Sequence, residues 1–198
     1  DGVTDEYLAS VPTRLQAAIM FLRLQGLEEE ALAYEGDDNF DDADSVWEGG
    51  QAILAYLKAN PDLGFVGVGD NKFDPLAPIT AQAYYKVLLV ALGYEYPTDF
   101  TWDEVFEFAA DVGLEAVADV EDFTVEDLAI ATVEALQADM ADGSGTLLDK
   151  LIEEEIIDED TAYEVGLLAS LSVQSVTAIS AKALKVTFNR AVASTADI

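Results

Sequence analysis

The sequence predicts a mainly α fold, a bundle of helix-loop-helix repeats closed by a short C-terminal β segment. Three observations carry that expectation. Threonines stand at the head of apolar stripes with helical spacing, twice with a Gln or Glu three residues on, as a capping box requires. Glycine or proline follows the main stripes and stops them. Only the tail changes to the alternation of a strand.

Thr13-Arg14-Leu15-Gln16 is the first box. It opens a helix over residues 15–27, with Ala17, Ile19, Met20, Leu22 and Leu24 apolar and Gly26 as the stop. A second helix is expected over 46–59, ending ahead of Pro61 because the residue before proline avoids the helical region. Residues 62–78 are glycine-rich and broken by turn formers, so they read as an ordered loop. A third helix runs from Thr80 to residue 92, with Gly93 behind it. A fourth starts at Thr101, whose box is completed by Glu104, and puts Trp102, Val105, Ala109 and Val112 on one stripe. Helices over 124–138, 147–155 and 161–170 follow. Residues 173–179 and 183–188 are rich in β-branched side chains and form a strand-turn-strand pattern. The expected division is a helical domain over 1–170 and a β segment over 171–198.

The chain has 198 residues and is 51% hydrophobic, enough to bury a core. It carries 40 acidic and 9 basic residues, a formal net charge of −31, which repels phosphate backbones and anionic lipid. Nucleic acid is excluded as a partner on that ground. No apolar run reaches the roughly 20 residues that span a bilayer, which excludes membrane insertion. The sequence Asp1-Gly2-Val3-Thr4-Asp5-Glu6 has neither the basic start nor the apolar stretch of a signal peptide, so a secreted protein is expected here in its mature form. There is no histidine and no cysteine, which removes imidazole bases, thiol nucleophiles, zinc sites of the usual kind and disulfides. Paired carboxylates can hydrolyse glycosides, but nothing in the sequence marks one pair among so many. The expectation is therefore a protein that is not an enzyme.

The stretches beginning at Thr13, Thr80 and Thr124 resemble one another, and tryptophan-led helices at Trp47 and Trp102 precede the second and third. The run Phe40-Asp41-Asp42-Ala43, Trp47, Ile53-Leu54, Gly69-Asp70, Phe73-Asp74-Pro75 and Pro78-Ile79-Thr80 resembles an S-layer homology domain. Residues 40–94 follow that layout; residues 11–27 are similar to the second half of a preceding unit and 99–138 to a worn third one. The tail, Val173 to Ile179 and Leu184 to Asn189, is similar to the first strands of the Ig-like repeats of S-layer proteins.

The resemblance implies a pseudo-threefold bundle in a secreted structural protein of the bacterial cell surface, a self-assembling S-layer or surface-fibre subunit whose partners are copies of itself. It implies as the alternative a carbohydrate-binding anchor, holding a secreted protein to cell-wall polysaccharide. By position, the polymer-binding residues would be Arg14, Trp47, Gly69 and Asp70. The motif arginine is replaced by Ala81 and Val125 in the other copies, which removes two of three guanidinium anion clamps.

Calcium is the expected cation, since divalent ions offset a carboxylate excess. Its candidate ligands are Asp37, Asn39, Asp41 and Glu48, with Ser45 also at an oxygen position of an EF-hand frame; Asp42 stands where that frame needs glycine. The competing interpretation of this stretch is a solvated acidic turn anchored by Phe40. Glu153 to Glu155 with Asp158 to Asp160 reads as a solvated helix end, or as a cation bridge to a neighbouring copy. Gly64, Gly67 and Gly69 lack the Lys-Ser/Thr of a phosphate loop, and Tyr84 and Tyr85 read as packing residues.

Overall fold

A computed structural model describes residues 3–118, 120–168, 173–180 and 183–188. The chain divides into two compact units, Asp1–Ile157 and Asp158–Ile198. The fold is mainly α, as expected.

The first unit is built from helices joined by loops. Thr4 caps α1 (Asp5–Leu8), its hydroxyl accepting from the Tyr7 amide at 3.2 Å. Thr13 caps α2 (Arg14–Leu24) in a reciprocal box: the Gln16 amide donates to its Oγ1 at 3.2 Å, and its own amide donates to Gln16 Oε1 at 2.8 Å. Next come α3 (Glu28–Leu32), α4 (Glu48–Ala59) and, after the long loop, α5 (Ala81–Ala91) capped by Thr80. A 3₁₀ turn at Trp102–Glu104 leads into α6 (Val105–Asp111). Thr124 and Thr146 start α7 (Val125–Gln137) and α8 (Leu147–Glu153), each in a box with an aspartate.

Helix α5 is the centre. Tyr84, Tyr85, Val87, Leu88 and Leu89 are all buried, so the helix is apolar almost all round, as an enclosed helix must be. It packs on α6, α7 and the 3₁₀ turn Pro61–Leu63. The two tyrosines pin it. Thr132 gives its own hydroxyl hydrogen to the Leu128 carbonyl at 2.8 Å, so Tyr84 is the donor in the 2.8 Å bond between their hydroxyls. Tyr85 donates to Glu134 Oε2 at 2.9 Å and accepts from the Val117 amide at 3.2 Å, while Glu134 Oε1 accepts from the Glu115 and Ala116 amides.

The entries of three helices are stitched together by main chain. The Arg14 amide donates to the Ala77 carbonyl at 2.9 Å, Ile79 to Pro12 at 3.1 Å, and Val125 to Ser10 at 2.9 Å. Thr13, Thr80 and Thr124 therefore start neighbouring helices.

The loop before α5 is fixed by a tight turn. Asp70 and Asn71 have φ of 48° and 55°, and the Lys72 amide closes onto the Gly69 carbonyl at 2.9 Å, the pattern of a type I′ turn. Behind it Gly67 has no room for a side chain: a Cβ there would lie 2.6 Å from the Lys72 carbonyl oxygen and 2.9 Å from the Phe40 ring. Gly67→Ala should thus cost about 2 kcal/mol, because the obstacle is backbone and cannot rotate away. Denaturant unfolding of the variant checks it; a loss below about 0.5 kcal/mol would mean the loop gives way freely.

In the second unit Asp158 caps α9 (Glu159–Glu164). The expectation placed this start at Thr161, but the Asp158 carboxylate accepts from both the Thr161 amide and its hydroxyl at 2.8 Å. A carboxylate at a helix N-terminus meets the positive end of the dipole, which a hydroxyl does not. Strands β1 (Val173–Ser180) and β2 (Ala183–Phe188) pair antiparallel, Val176 opposite Val186, in the two stretches expected. Part of the expected β segment, residues 171–172, 181–182 and 189–198, lies outside the described residues.

Candidate functional site

Arg14, at the first turn of α2, reaches across the long loop. Its Nε donates to the Phe73 carbonyl at 2.8 Å and its Nη2 to the Val66 carbonyl at 3.1 Å, with the guanidinium 4.9 Å from the centre of the Phe73 ring. Burial pulls its pKa down, against the charges of Asp74 and Asp42. Asp42 is engaged elsewhere, accepting from the Phe73 and Asp74 amides at 3.0 and 2.8 Å. Burial raises the Asp42 carboxyl, and those two amide bonds, its own backbone amide and the charge of Lys72 together more than reverse that, leaving its pKa below the usual value.

Arg14 and the other three sequence candidates for polymer binding do not line one cleft. Trp47 is the N-cap residue of α4 and 57% exposed; its indole folds back so closely that a Cβ on Gly49 would lie 2.8 Å from Trp47 Nε1. Gly69 and Asp70 form the turn described above, and neither they nor Trp47 line the cleft beside Arg14.

Of the candidates for calcium, Asn39 and Asp41 are held in structural bonds, while Asp37 is exposed in a bend ahead of them. The Asn39 side chain donates to the Gln51 carbonyl at 2.8 Å and accepts from the Phe40 amide. Asp41 Oδ1 accepts from Asn71 at 2.6 Å, and Glu48 sits in the first turn of α4. Lys58 occupies the neighbourhood, donating to Asp38 Oδ1 and to the Asn39 carbonyl, both at 2.6 Å. Among the described residues no group of three or more Asp or Glu could hold a metal ion.

Of the clefts along α5, two reach its first turn. The first, of about 520 Å³, has Val11, Ile79, Phe106 and Phe123 as apolar walls and the exposed carboxylates of Glu121 and Asp122 at its rim. The second, of about 290 Å³, is lined by Arg14, Val66, Ile79, Lys86, Tyr96 and Trp102 among others. Lys86 was not a sequence candidate. It is 6% exposed, donates to the Gly64 carbonyl at 2.6 Å and sits 4.7 Å from the centre of the Tyr96 ring. Desolvation, with Arg14's charge added, lowers its pKa to about 8. The signal that could have found it is a single lysine inside the apolar run Tyr84 to Ala91.

Residues 72–156 match the family model of the N-terminal domain of X-prolyl dipeptidyl aminopeptidase PepX. The matched segment runs from the end of the loop through α5, α6, α7 and α8. It is less than half of the chain, and the similarity extends to that segment alone. Nothing among curated proteins or solved structures matches.

This finding overturns the S-layer expectation. The matching model is the N-terminal domain of a peptidase and no S-layer homology model matches, so degenerate S-layer homology repeats with an Ig-like start are not supported. The self-assembling cell-surface subunit and the wall-polysaccharide anchor fall with it, as does the expectation of a protein that is not an enzyme, since the matched model is a domain of a peptidase. The physical reason is visible in the helix starts. Threonine caps α1 and α8 as well, and Thr101 forms a box ahead of α6. A device used at five of the unit's eight described α-helices and ahead of a sixth satisfies orphan amides where a helix begins and does not mark three copies of one repeat. The similarity that the comparisons support is to a peptidase-associated helical domain.

Proposed function

We propose that the helical unit is the peptide-handling domain of a peptidase of the X-prolyl dipeptidyl aminopeptidase kind, engaging the amino-terminal end of a substrate. The observation that carries this is a coincidence of position: every residue lining the cleft at the start of α5, Val11 excepted, lies within the matched segment 72–156. The chemistry of the cleft supports it. A dipeptidyl aminopeptidase must recognise a free ammonium followed by a small apolar body. Glu121 and Asp122 offer carboxylates to the former, and Phe106, Phe123 and Ile79 an apolar surface to a proline ring. A net charge of −31 raises the local concentration of cationic peptide ends. With no histidine or cysteine among the 198 residues, these residues contribute recognition, and any imidazole base of such a peptidase is supplied by another polypeptide segment.

The test is calorimetric titration of the chain with alanyl-prolyl-glycine and with its N-acetylated form. The free amine should bind about tenfold more tightly, and Glu121→Gln with Asp122→Asn should abolish that preference. Equal affinity of the two peptides would remove the basis for an amino-terminal site.

A further inference from the structure

We infer that the cleft between Lys86, Arg14 and Trp102 is a binding site for an organic carboxylate with a small apolar body. This goes beyond the peptide-handling proposal and does not depend on it, because a different cleft and the opposite charge are involved.

The starting point is an electrostatic imbalance. The chain has 9 basic residues and 40 acidic ones, yet two of the basic side chains line one small cleft and neither is in ion-pair contact with a carboxylate among the described residues, Asp74 and Asp42 acting on Arg14 only at longer range. Among the described residues the ion pairs are Arg23–Glu28 and Lys58–Asp38, both at 2.6 Å. Lys86 is more than nine-tenths buried and gives one hydrogen bond, to Gly64; its ammonium has three donors. Arg14 uses Nε and one Nη2 hydrogen on backbone carbonyls and keeps the rest of its fork. The two cations are close enough that Arg14 disfavours the charged form of Lys86. Burying an ammonium beside a second cation is costly unless an anion completes the set.

The rest of the lining selects the anion. Val66, Val68, Ile79 and Val87 are apolar and Trp102 is 43% exposed at the edge, so the body of the ligand meets hydrocarbon and an indole face. A volume of about 290 Å³ suits a ligand of amino-acid or short-acid size. A doubly charged phosphate ester fits worse, since most of its oxygens would face aliphatic carbon. A carboxylate has two oxygens, one for the ammonium and one for the guanidinium.

Free organic acids and peptide C-termini share this chemistry, and the experiment separates them. The chain is titrated with isovalerate, N-acetyl-leucine and N-acetyl-leucine amide, reading tryptophan fluorescence and heat. Both acids should bind and the amide should not, with Lys86→Met and Arg14→Gln each weakening the acids about tenfold or more. Circular dichroism establishes that each variant is folded. Arg14→Lys, which keeps the charge and loses the fork, should fall between wild type and Arg14→Gln. N-acetyl-leucine ahead of isovalerate assigns the site to peptide C-termini, and equality assigns it to free acids. An amide that binds as well as its acid, a folded Lys86→Met variant with undiminished affinity, or no binding of either acid at about 10 mM would overturn the inference.

Discussion

Phe73→Ala should lower the free energy of unfolding by about 4 kcal/mol and the melting temperature by roughly 10 °C. Phe73 is fully buried, with the Phe40 ring 5.3 Å away and the Arg14 guanidinium on its face at 4.9 Å. Removing the ring forfeits its transfer from water and both ring contacts. It also leaves a void that cannot easily close, because the backbone at this point is tied on both sides. The Phe73 amide donates to Asp42 and its carbonyl accepts from Arg14. Where neighbours are held in place, the cavity contribution to a large-to-small change is near its maximum. Phe73→Leu fills most of the space and should cost no more than about 1.5 kcal/mol. Guanidinium unfolding of both variants decides it. If the alanine variant loses less than about 1.5 kcal/mol, the loop relaxes around the gap and Phe73 is not the anchor of the Arg14 cleft.

Much of this framework is legible in the sequence, and the reasons are local. Thr13 with Gln16 and Thr124 with Asp127 are self-contained devices: a side chain three residues away answers an amide, so the helix start needs no tertiary partner to be recognised. The hairpin is legible in the same way, since β-branched alternation and a short turn are both local. Helices α1 and α3 are four and five residues long, too short for an apolar period to register. At α9 two capping residues compete within four positions, and the outcome rests on charge at the helix end, which no apolar stripe encodes.

The site residues divide along the same line. Arg14 stands out in sequence because it follows a capping threonine, yet what it does there depends on carbonyls at Val66 and Phe73, more than fifty positions away. Trp47 is a polymer-binding position only by resemblance, and its ring lies over the first turn of its own helix, where Gly49 and Gly50 leave room for it. Lys86 is the reverse case. One cation in a long apolar helix gives no motif, and only the packing of the Pro61–Leu63 turn and Tyr96 around α5 turns it into a buried ammonium. The misjudged family has a related origin, for a pattern of Thr-capped helices and a glycine-rich loop is rewarded by backbone chemistry in any helical bundle.

Between pH about 7 and about 9.5 wild type should gain roughly 2 kcal/mol of stability relative to Lys86→Met. The sign follows from the proton count. Lys86 titrates at about 8 in the folded chain against an ordinary 10.5, because burial and Arg14 disfavour its charge. Below the lower value both states carry the proton, and the folded state bears the whole cost of the buried ammonium. Between the two values the unfolded chain holds a proton that the folded chain has released, so stability rises with pH; above the higher value neither state is charged and the gain is complete. The methionine variant has nothing to release and should stay flat across the same window. The window is clean, because a chain without histidine or cysteine has few other groups that titrate in it. Tyr84 enters later and with the opposite sign, since burial pushes its hydroxyl up to about 12 and the unfolded tyrosine ionises first. Parallel stability curves for wild type and Lys86→Met would show that the Lys86 ammonium is solvated like any surface lysine, and the missing counter-charge in its cleft would lose its meaning.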